Sequence, residues 1–159
     1  MNPPTALTPD DSAVLLAHIM SDHDTNLYGT VHGGMVMKLI DDAAAAAAGR
    51  HAGTTAVTVS VEKMSFLSPV HAGDLLNVRA RLAYAGRTSM DVAVTVTAER
   101  WNSTGPTATV ATAELVFVAI DRDRRPTPIP ELKAATDDDL ERYERARLRR
   151  EGQRADAAV

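Results

Sequence analysis

Residues 24–49 read DTNLYGTVHGGMVMKLIDDAAAAAAG, a polar loop followed by one helical segment. The segment Val31–Gly49 is predicted to be a helix, because two glycines after His32 open it, its second half is rich in alanine, and Gly49 suits a C-cap. On a helical wheel with steps of about 100°, its larger apolar residues fall in one arc of about 140°. These residues are Met35, Val36, Leu39, Ile40, Ala43 and Ala47. The arc is predicted to face a sheet.

Four segments after the helix alternate apolar and polar residues with period two, which predicts strands with one covered face. They are Ala56–Phe66, Leu75–Tyr84, Thr88–Trp101 and Thr107–Ile120. A shorter apolar segment before the helix, Ser12–Met20, is predicted to be a first strand. Short, turn-rich connections between the long strands favour antiparallel neighbours. This order predicts an α+β domain, the hotdog fold, in which a curled antiparallel sheet wraps around one central helix.

The composition divides the chain into three parts. Residues 1–11 are expected to be an N-terminal tail, residues 12–130 the folded domain, and residues 131–159 a charged C-terminal tail. Prolines at positions 126, 128 and 130 end the regular sheet, because proline cannot donate to a strand ladder. The stretch 137–154 is expected to be peripheral, with a helix as one option. Its apolar stripe consists only of Leu140, Tyr143 and Leu148.

Overall composition excludes several classes of protein. A chain of 159 residues is long enough for one core. It contains no cysteine, which excludes disulfides, thiolate metal cages and a cysteine nucleophile, and which fits a reducing compartment. The formal net charge of −4 argues against a nucleic-acid partner. The sequence lacks the features of a signal peptide or a membrane span, so a cytoplasmic location without membrane attachment is expected.

Asp41 lies nearly opposite the centre of the apolar arc, beside apolar or small residues. These neighbours are Met37, Ala44 and Ala48. The second face of the helix is therefore predicted to be buried against another subunit, with Asp41 near the seam. A carboxylate there suits a general base, but a structural hydrogen-bonded role is equally open from spacing alone. Asp42, four residues after Lys38, is predicted to form an exposed ion pair.

The start of the helix offers backbone N–H groups at the positive end of its dipole, at His32-Gly33-Gly34. Such groups can stabilise an oxyanion, although two glycines alone are more often a turn. No catalytic metal is predicted, because the remaining histidines show no helical pair with metal-ligand spacing. The sequence also lacks a G-x-S-x-G nucleophile motif, which disfavours a serine esterase.

The stretch from Asp24 to Asp41 resembles the cytosolic acyl-CoA hydrolase branch of the hotdog thioesterases. The resemblance continues through VTVSV at 57–61, FLSPV at 66–70, GD at 73–74, GRTSM at 86–90 and FVA at 117–119. It covers about Ser12 to Pro130. It implies hydrolysis of acyl-CoA to a free carboxylic acid and coenzyme A, without a separate cofactor, since coenzyme A belongs to the substrate and the product.

The resemblance also implies roles for individual residues. Asp41 would activate water as a general base or attack directly, and Asn26 would come from the partner subunit to orient the water or the carbonyl. Amides at the helix start would polarise the thioester. The expected substrate-binding residues are His32, Gly33, Gly34, Thr58, Ser60, Phe66, Gly86, Arg87, Thr88 and Ser89. Residues 86–89 would meet the nucleotide or the pantetheine of coenzyme A, although without the family they are simply a hairpin turn.

The family implies a homo-oligomer, at least a dimer and by inference a trimer of dimers. Two other functions compete with hydrolysis. A non-catalytic acyl-CoA sensor or regulatory module would use the same fold without turnover, but the presence of both Asn26 and Asp41 favours turnover. A dehydratase or hydratase needs a histidine and an acid over the acyl chain, and His32 at the helix start fits that role poorly.

Overall fold

The computed structural model describes residues 6–157. In this part of the chain, strands and helices follow one another in the order that the sequence predicts, with additional short elements near the ends. The elements are β1 (Ala6–Leu7), β2 (Val14–Ile19), a 3₁₀ turn (Asp22–Asp24), α1 (Gly33–Ala52), β3 (Thr55–Phe66), β4 (Asp74–Ala85), β5 (Ser89–Arg100), β6 (Ala108–Ile120), β7 (Glu131–Leu132) and α2 (Asp137–Ala157).

Five strands form one antiparallel sheet in the order β2-β4-β5-β6-β3. Helix α1 lies across it and contacts all five strands. The predicted arrangement of one helix against a curled antiparallel sheet is therefore confirmed. Residues 6 and 7, which fall in the expected N-terminal tail, form a short parallel pair with β7. In residues 6–157, no helix combines the length and apolarity that crossing a bilayer requires.

The alanine-rich half of α1 is buried inside a single chain. Ala43, Ala44, Ala47 and Ala48 are all completely covered, because small side chains let the curled sheet approach the helix on both flanks. The prediction that this second face needs another subunit to cover it is therefore wrong for Ala44 and Ala48. Asp41 stays partly exposed, and Met37 is exposed over 45% of its surface.

Helix α1 extends further than its predicted end at Gly49. It ends at Ala52, and Gly53 adopts the left-handed conformation with φ +66° while its N–H donates to the Gly49 carbonyl over 2.9 Å. Gly53 is thus the C-cap, and the prediction for Gly49 is wrong. The extra turn is held by His51, which is buried and lies 2.9 Å from the Pro130 carbonyl.

Residues 137–157 form α2, which packs on the sheet rather than lying loosely beside it. Of the apolar stripe only Tyr143 packs on the sheet, with its ring 4.9 Å from that of Tyr84. Leu140 and Leu148 are each more than half exposed, whereas Asp139 and Ala146 are buried. The expectation of a peripheral segment is corrected accordingly. The apolar stripe did not predict this contact because arginines make most of it.

The contact between α2 and the sheet is an ion-pair network. Arg149 and Arg150 both pair with the buried carboxylate of Asp91 on β5, and Arg149 also donates to Glu114 on β6 over 2.8 Å. Side chains alternate across a strand, and Val92, next to Asp91, belongs to the core that includes α1. Helix α2 therefore covers the opposite face of the sheet.

Candidate active site

The loop before α1 is organised around Asn26. Its Oδ1 accepts the N–H of Tyr28 over 2.8 Å and the N–H of Thr30 over 3.3 Å, and its Nδ2 donates to the Thr30 hydroxyl over 3.1 Å. Asp24 anchors the start of the loop by accepting the Ser21 N–H over 2.7 Å, and this hydrogen bond lowers the pKa of Asp24. The loop thereby holds Leu27 and Tyr28 almost fully in solvent.

The helix start differs from the expectation of two free amides. His32 is the N-cap, and its Nδ1 accepts the N–H of Gly34 over 3.0 Å. Among residues 6–157, the N–H of Gly33 donates to no acceptor. One unoccupied donor therefore remains at the positive end of α1, where it could stabilise developing negative charge.

A cavity of about 350 Å³ opens beside Gly33. The ring of Phe66, at the end of β3, lies over this glycine, so that a Cβ at position 33 would sit 3.7 Å from the ring. The remaining wall is mostly apolar and is formed by Val31, Val36, Leu67, Ser68, Pro69 and Val70. Such a lining suits an acyl chain more than a charged group.

Asp41 is held by Thr58 of β3, whose hydroxyl donates to Asp41 Oδ1 over 2.7 Å. The pairing of β3 with β6 is interrupted immediately after Thr58. Such a bulge re-aims side chains and is common beside active sites. The neighbouring Asp42 instead pairs with Lys38 over 2.5 Å at the surface, which confirms the structural interpretation of Asp42.

Not all predicted residues come together in one chain. Asp41 follows Gly33 by eight residues, which at about 1.5 Å per residue places their Cα atoms about 12 Å apart. Within the described chain, Asn26 makes no hydrogen bond to Asp41. Ser60 donates to Glu62, which lowers the pKa of Glu62, and lies beside α2 rather than beside Asp41.

The residues expected to meet coenzyme A form the hairpin between β4 and β5, well separated in sequence from the helix start. A cavity of about 550 Å³ lies beside it, with Gly86 and Arg87 on one wall. Arg87 is exposed and makes no side-chain hydrogen bond or ion pair to residues 6–157. The other wall was not predicted from the sequence and consists of Pro128, Ile129, Glu131, Leu132 and Tyr143.

The arginines of α2 were not predicted from the sequence to lie near the site. Arg150 donates to the Ser89 hydroxyl over 2.7 Å and thus reaches the hairpin. The only signal in the sequence was Asp91, a carboxylate between Met90 and Val92 near the start of β5, because a buried charge requires a partner. Burial raises the pKa of Asp91, and the two arginines oppose that shift. No group of three His, Asp or Glu side chains in residues 6–157 is arranged to hold a metal ion.

Comparisons with known proteins identify the family and the fold of the chain. Residues 28–102 match the family model described as the thioesterase superfamily. A solved apo-hexameric acyl-CoA thioesterase is 32% identical, superimposes with a TM-score of 0.89, and the match covers 97% of this chain and 98% of that one. The chain belongs to the thioesterase superfamily. The predicted family and the predicted hotdog fold are thereby confirmed.

Two further similar proteins have names that state an activity. The acyl-CoA hydrolase from Staphylococcus aureus, solved with butyryl coenzyme A, coenzyme A and coenzyme A disulfide, is 31% identical with a TM-score of 0.86 and coverages of 96% and 93%. The cytosolic acyl coenzyme A thioester hydrolase of Rattus norvegicus is 31% identical over 135 residues, 84% of this chain. The chain spans about a third of the length of that relative and of its mouse and human counterparts.

Proposed function

We propose that this thioesterase-superfamily chain hydrolyses acyl-CoA to a carboxylic acid and coenzyme A. The observation that carries the proposal is the position of the Asp41 carboxylate on α1, where it accepts a hydrogen bond from the Thr58 hydroxyl over 2.7 Å. The first residue of the same helix, Gly33, has a free N–H beside an apolar cavity. A positioned base, an amide for the oxyanion and an apolar pocket are the parts that acyl transfer to water requires. Relatives named acyl-CoA hydrolases support the same chemistry.

In the proposed reaction, Asp41 takes a proton from water while the water oxygen attacks the thioester carbonyl carbon. The Gly33 N–H stabilises the negative charge that develops on the carbonyl oxygen. The C–S bond then breaks, and the coenzyme A thiolate accepts the proton that Asp41 took from water. Direct attack by Asp41 would instead expel the coenzyme A thiolate and form an anhydride. If water then opened this anhydride at the aspartyl carbon, a single turnover in heavy-oxygen water would label the aspartate, which the general-base route does not. No metal or further cofactor takes part.

The proposed site is completed by a second copy of the chain. Gly33 and Asp41 of one chain, about 12 Å apart along α1, cannot both touch one thioester carbon. Asn26 and Gly33 of one copy would therefore meet Asp41 of the other. An exposed apolar surface supports such an association; it lies on the edge strand β3, on the residue that follows it and on the loop before α1. Its members are Leu27, Tyr28, Val57, Val59, Val61, Phe66 and Leu67.

A dimer satisfies this requirement, and we propose that three dimers assemble into a hexamer. The similar thioesterase described as hexameric supports this assembly. We also propose a cytoplasmic location, which the cytosolic name of the rat relative and the absence of cysteine from the sequence support. The hairpin at Arg87 is proposed to bind the phosphate-bearing end of coenzyme A, because a free guanidinium matches phosphate geometry.

The test measures release of free coenzyme A with a thiol-reactive dye across acyl-CoAs of different chain lengths. The variants are Asp41→Asn and, as a matched control on the same helix, Asp42→Asn. We expect Asp41→Asn to lower kcat at least about a hundredfold, as loss of a general base does. Asp42→Asn is expected to keep the activity, because it removes only an exposed ion pair.

Two outcomes would contradict the proposal. Equal losses of kcat in Asp41→Asn and Asp42→Asn would show that Asp41 is not the general base. A wild-type protein that binds acyl-CoA in calorimetry but never releases coenzyme A would replace hydrolysis with the sensor function.

A further inference from the structure

Arg150 of α2 joins the two strands that flank the coenzyme A hairpin. Its Nη1 donates to the Ser89 hydroxyl over 2.7 Å, and its Nε donates to Asp91 Oδ1 over 2.7 Å. The guanidinium carbon also lies 4.8 Å from the centre of the Tyr84 ring. Tyr84 is near the end of β4, whereas Ser89 and Asp91 begin β5. One side chain therefore braces both strands next to the turn.

The position of Arg150 is itself fixed by burial. Only 13% of its side chain is exposed, and Asp91, its partner, is almost fully covered. A buried charge that moves away from its ion-pair partner finds no water to replace it, so displacing the Arg150 guanidinium from Asp91 is costly. The Tyr143 ring, 4.9 Å from that of Tyr84, adds a second contact between α2 and the end of β4.

The hairpin backbone is tied down by three further hydrogen bonds. The N–H of Gly86 donates to the Ser89 carbonyl over 2.8 Å, that of Ala119 to the Thr88 carbonyl over 2.9 Å, and that of Ile129 to the Arg87 carbonyl over 3.1 Å. No comparable bond to a described residue restrains the Arg87 side chain, which projects beside the 550 Å³ cavity. The result is a rigid turn that presents one uncommitted guanidinium.

We propose that Arg150 is a positioning residue for coenzyme A binding, acting through Ser89 on the hairpin that carries Arg87. This inference rests on the proposed function of the same hairpin. Each of the three guanidinium nitrogens of Arg150 donates one hydrogen bond, to Ser89 or to Asp91, and in this proposal Arg150 does not itself meet the substrate. Its effect is to order the turn before the ligand arrives, and preordered loops bind more tightly because less entropy is lost on binding.

The expected effects of Arg150→Ala distinguish binding of the nucleotide from the chemical step at the thioester. With Arg150→Ala, we expect the KM for acyl-CoA and the Kd for coenzyme A to rise about tenfold, as misplacing a binding group does. The kcat is expected to remain within about twofold, because saturating substrate restores the complex. A thioester of N-acetylcysteamine with the same acyl group lacks the nucleotide, so its kcat/KM should not change.

Arg149→Ala is the matched control. Arg149 shares the Asp91 carboxylate but otherwise contacts Glu62 and Glu114, and it does not touch Ser89 or Tyr84. We expect this variant to lose thermal stability while keeping the wild-type KM and Kd. Equal increases in both variants would show that the measurement reports general destabilisation, and would overturn the proposal. A parallel loss of kcat/KM on the N-acetylcysteamine thioester would do the same.

A second variant covers the case in which Arg150→Ala does not fold. Arg150→Lys keeps the positive charge that pairs with Asp91. Lysine lacks the planar guanidinium, so it cannot keep the hydrogen bonds to Ser89 and to Asp91 at the same time. A raised Kd for coenzyme A is expected, and a wild-type Kd would refute the bridging role. Calorimetry with coenzyme A does not require turnover. A wild type that hydrolyses no acyl-CoA would therefore contradict the proposed function while leaving the Arg150 measurement intact.

Discussion

Replacing Thr58 tests whether the orientation of Asp41 matters for catalysis. Thr58→Val keeps the shape of the side chain and removes the hydroxyl that donates to Asp41 Oδ1 over 2.7 Å. A hydrogen bond to a charged group contributes about 1.5–3 kcal/mol. Asp41 is partly exposed, so the lower end of that range applies. At about 1.4 kcal/mol per factor of ten, we expect kcat to fall about tenfold.

The assay is steady-state release of coenzyme A, with two comparison variants. Thr58→Ser retains the hydroxyl and should stay within about threefold of wild type. Thr55→Val makes the same substitution at the exposed start of β3, where the threonine donates no side-chain hydrogen bond within residues 6–157, and should leave kcat unchanged. A Thr58→Val enzyme with wild-type kcat, or a serine variant as slow as the valine variant, would refute the positioning of Asp41 by Thr58.

Two further predictions concern stability. Burial lowers the pKa of His51 below that of the unfolded chain, so its stabilising contribution is complete above about pH 6.5 and declines as the pH falls below that value. Urea unfolding of wild type and His51→Gln from about pH 7 to about pH 5 should show the steeper loss in wild type, by at most about 1.4 kcal/mol per pH unit, and parallel curves would contradict this. Gly53→Ala should lower the free energy of unfolding by about 1–2 kcal/mol through its positive φ alone, whereas Gly49→Ala, inside α1, should be neutral or stabilising in the same denaturation experiment.

Periodicity predicted the main sheet and its helix because each element has one strongly apolar face. The alternation of β5 and β6 places valine, alanine and leucine against α1, and the observed bounds differ from the predicted ones by only one or two residues at most ends. The end of α1 could not be predicted in the same way. Gly49 is a plausible cap on local grounds, but the burial of His51 against Pro130 continues the helix to Ala52.

The packing of helix α2 on the sheet could not be predicted from periodicity, for a physical reason. Its packing depends largely on arginines that pair with carboxylates on β5 and β6, and pairing between residues 35 to 59 positions apart leaves no local pattern. The same limit applies to the candidate site. Sequence motifs selected Asn26, Asp41 and the 86–89 hairpin, but they did not show that His32 occupies the N–H of Gly34 or that Ser60 turns towards Glu62.

The hydrogen bonds of Asn26 restrict what it can do in a shared site. Its Oδ1 already accepts two backbone N–H groups, and one hydrogen of its Nδ2 is donated to Thr30. A carboxamide nitrogen carries two hydrogens, so one N–H remains for a partner without any change in the loop. Asn26 can therefore donate to the thioester carbonyl or to the water oxygen, but it is poorly placed to accept the proton of the water. In the proposed reaction, Asp41 would therefore remove the proton of the water, while the free N–H of Asn26 would stabilise the negative charge that develops on the carbonyl oxygen.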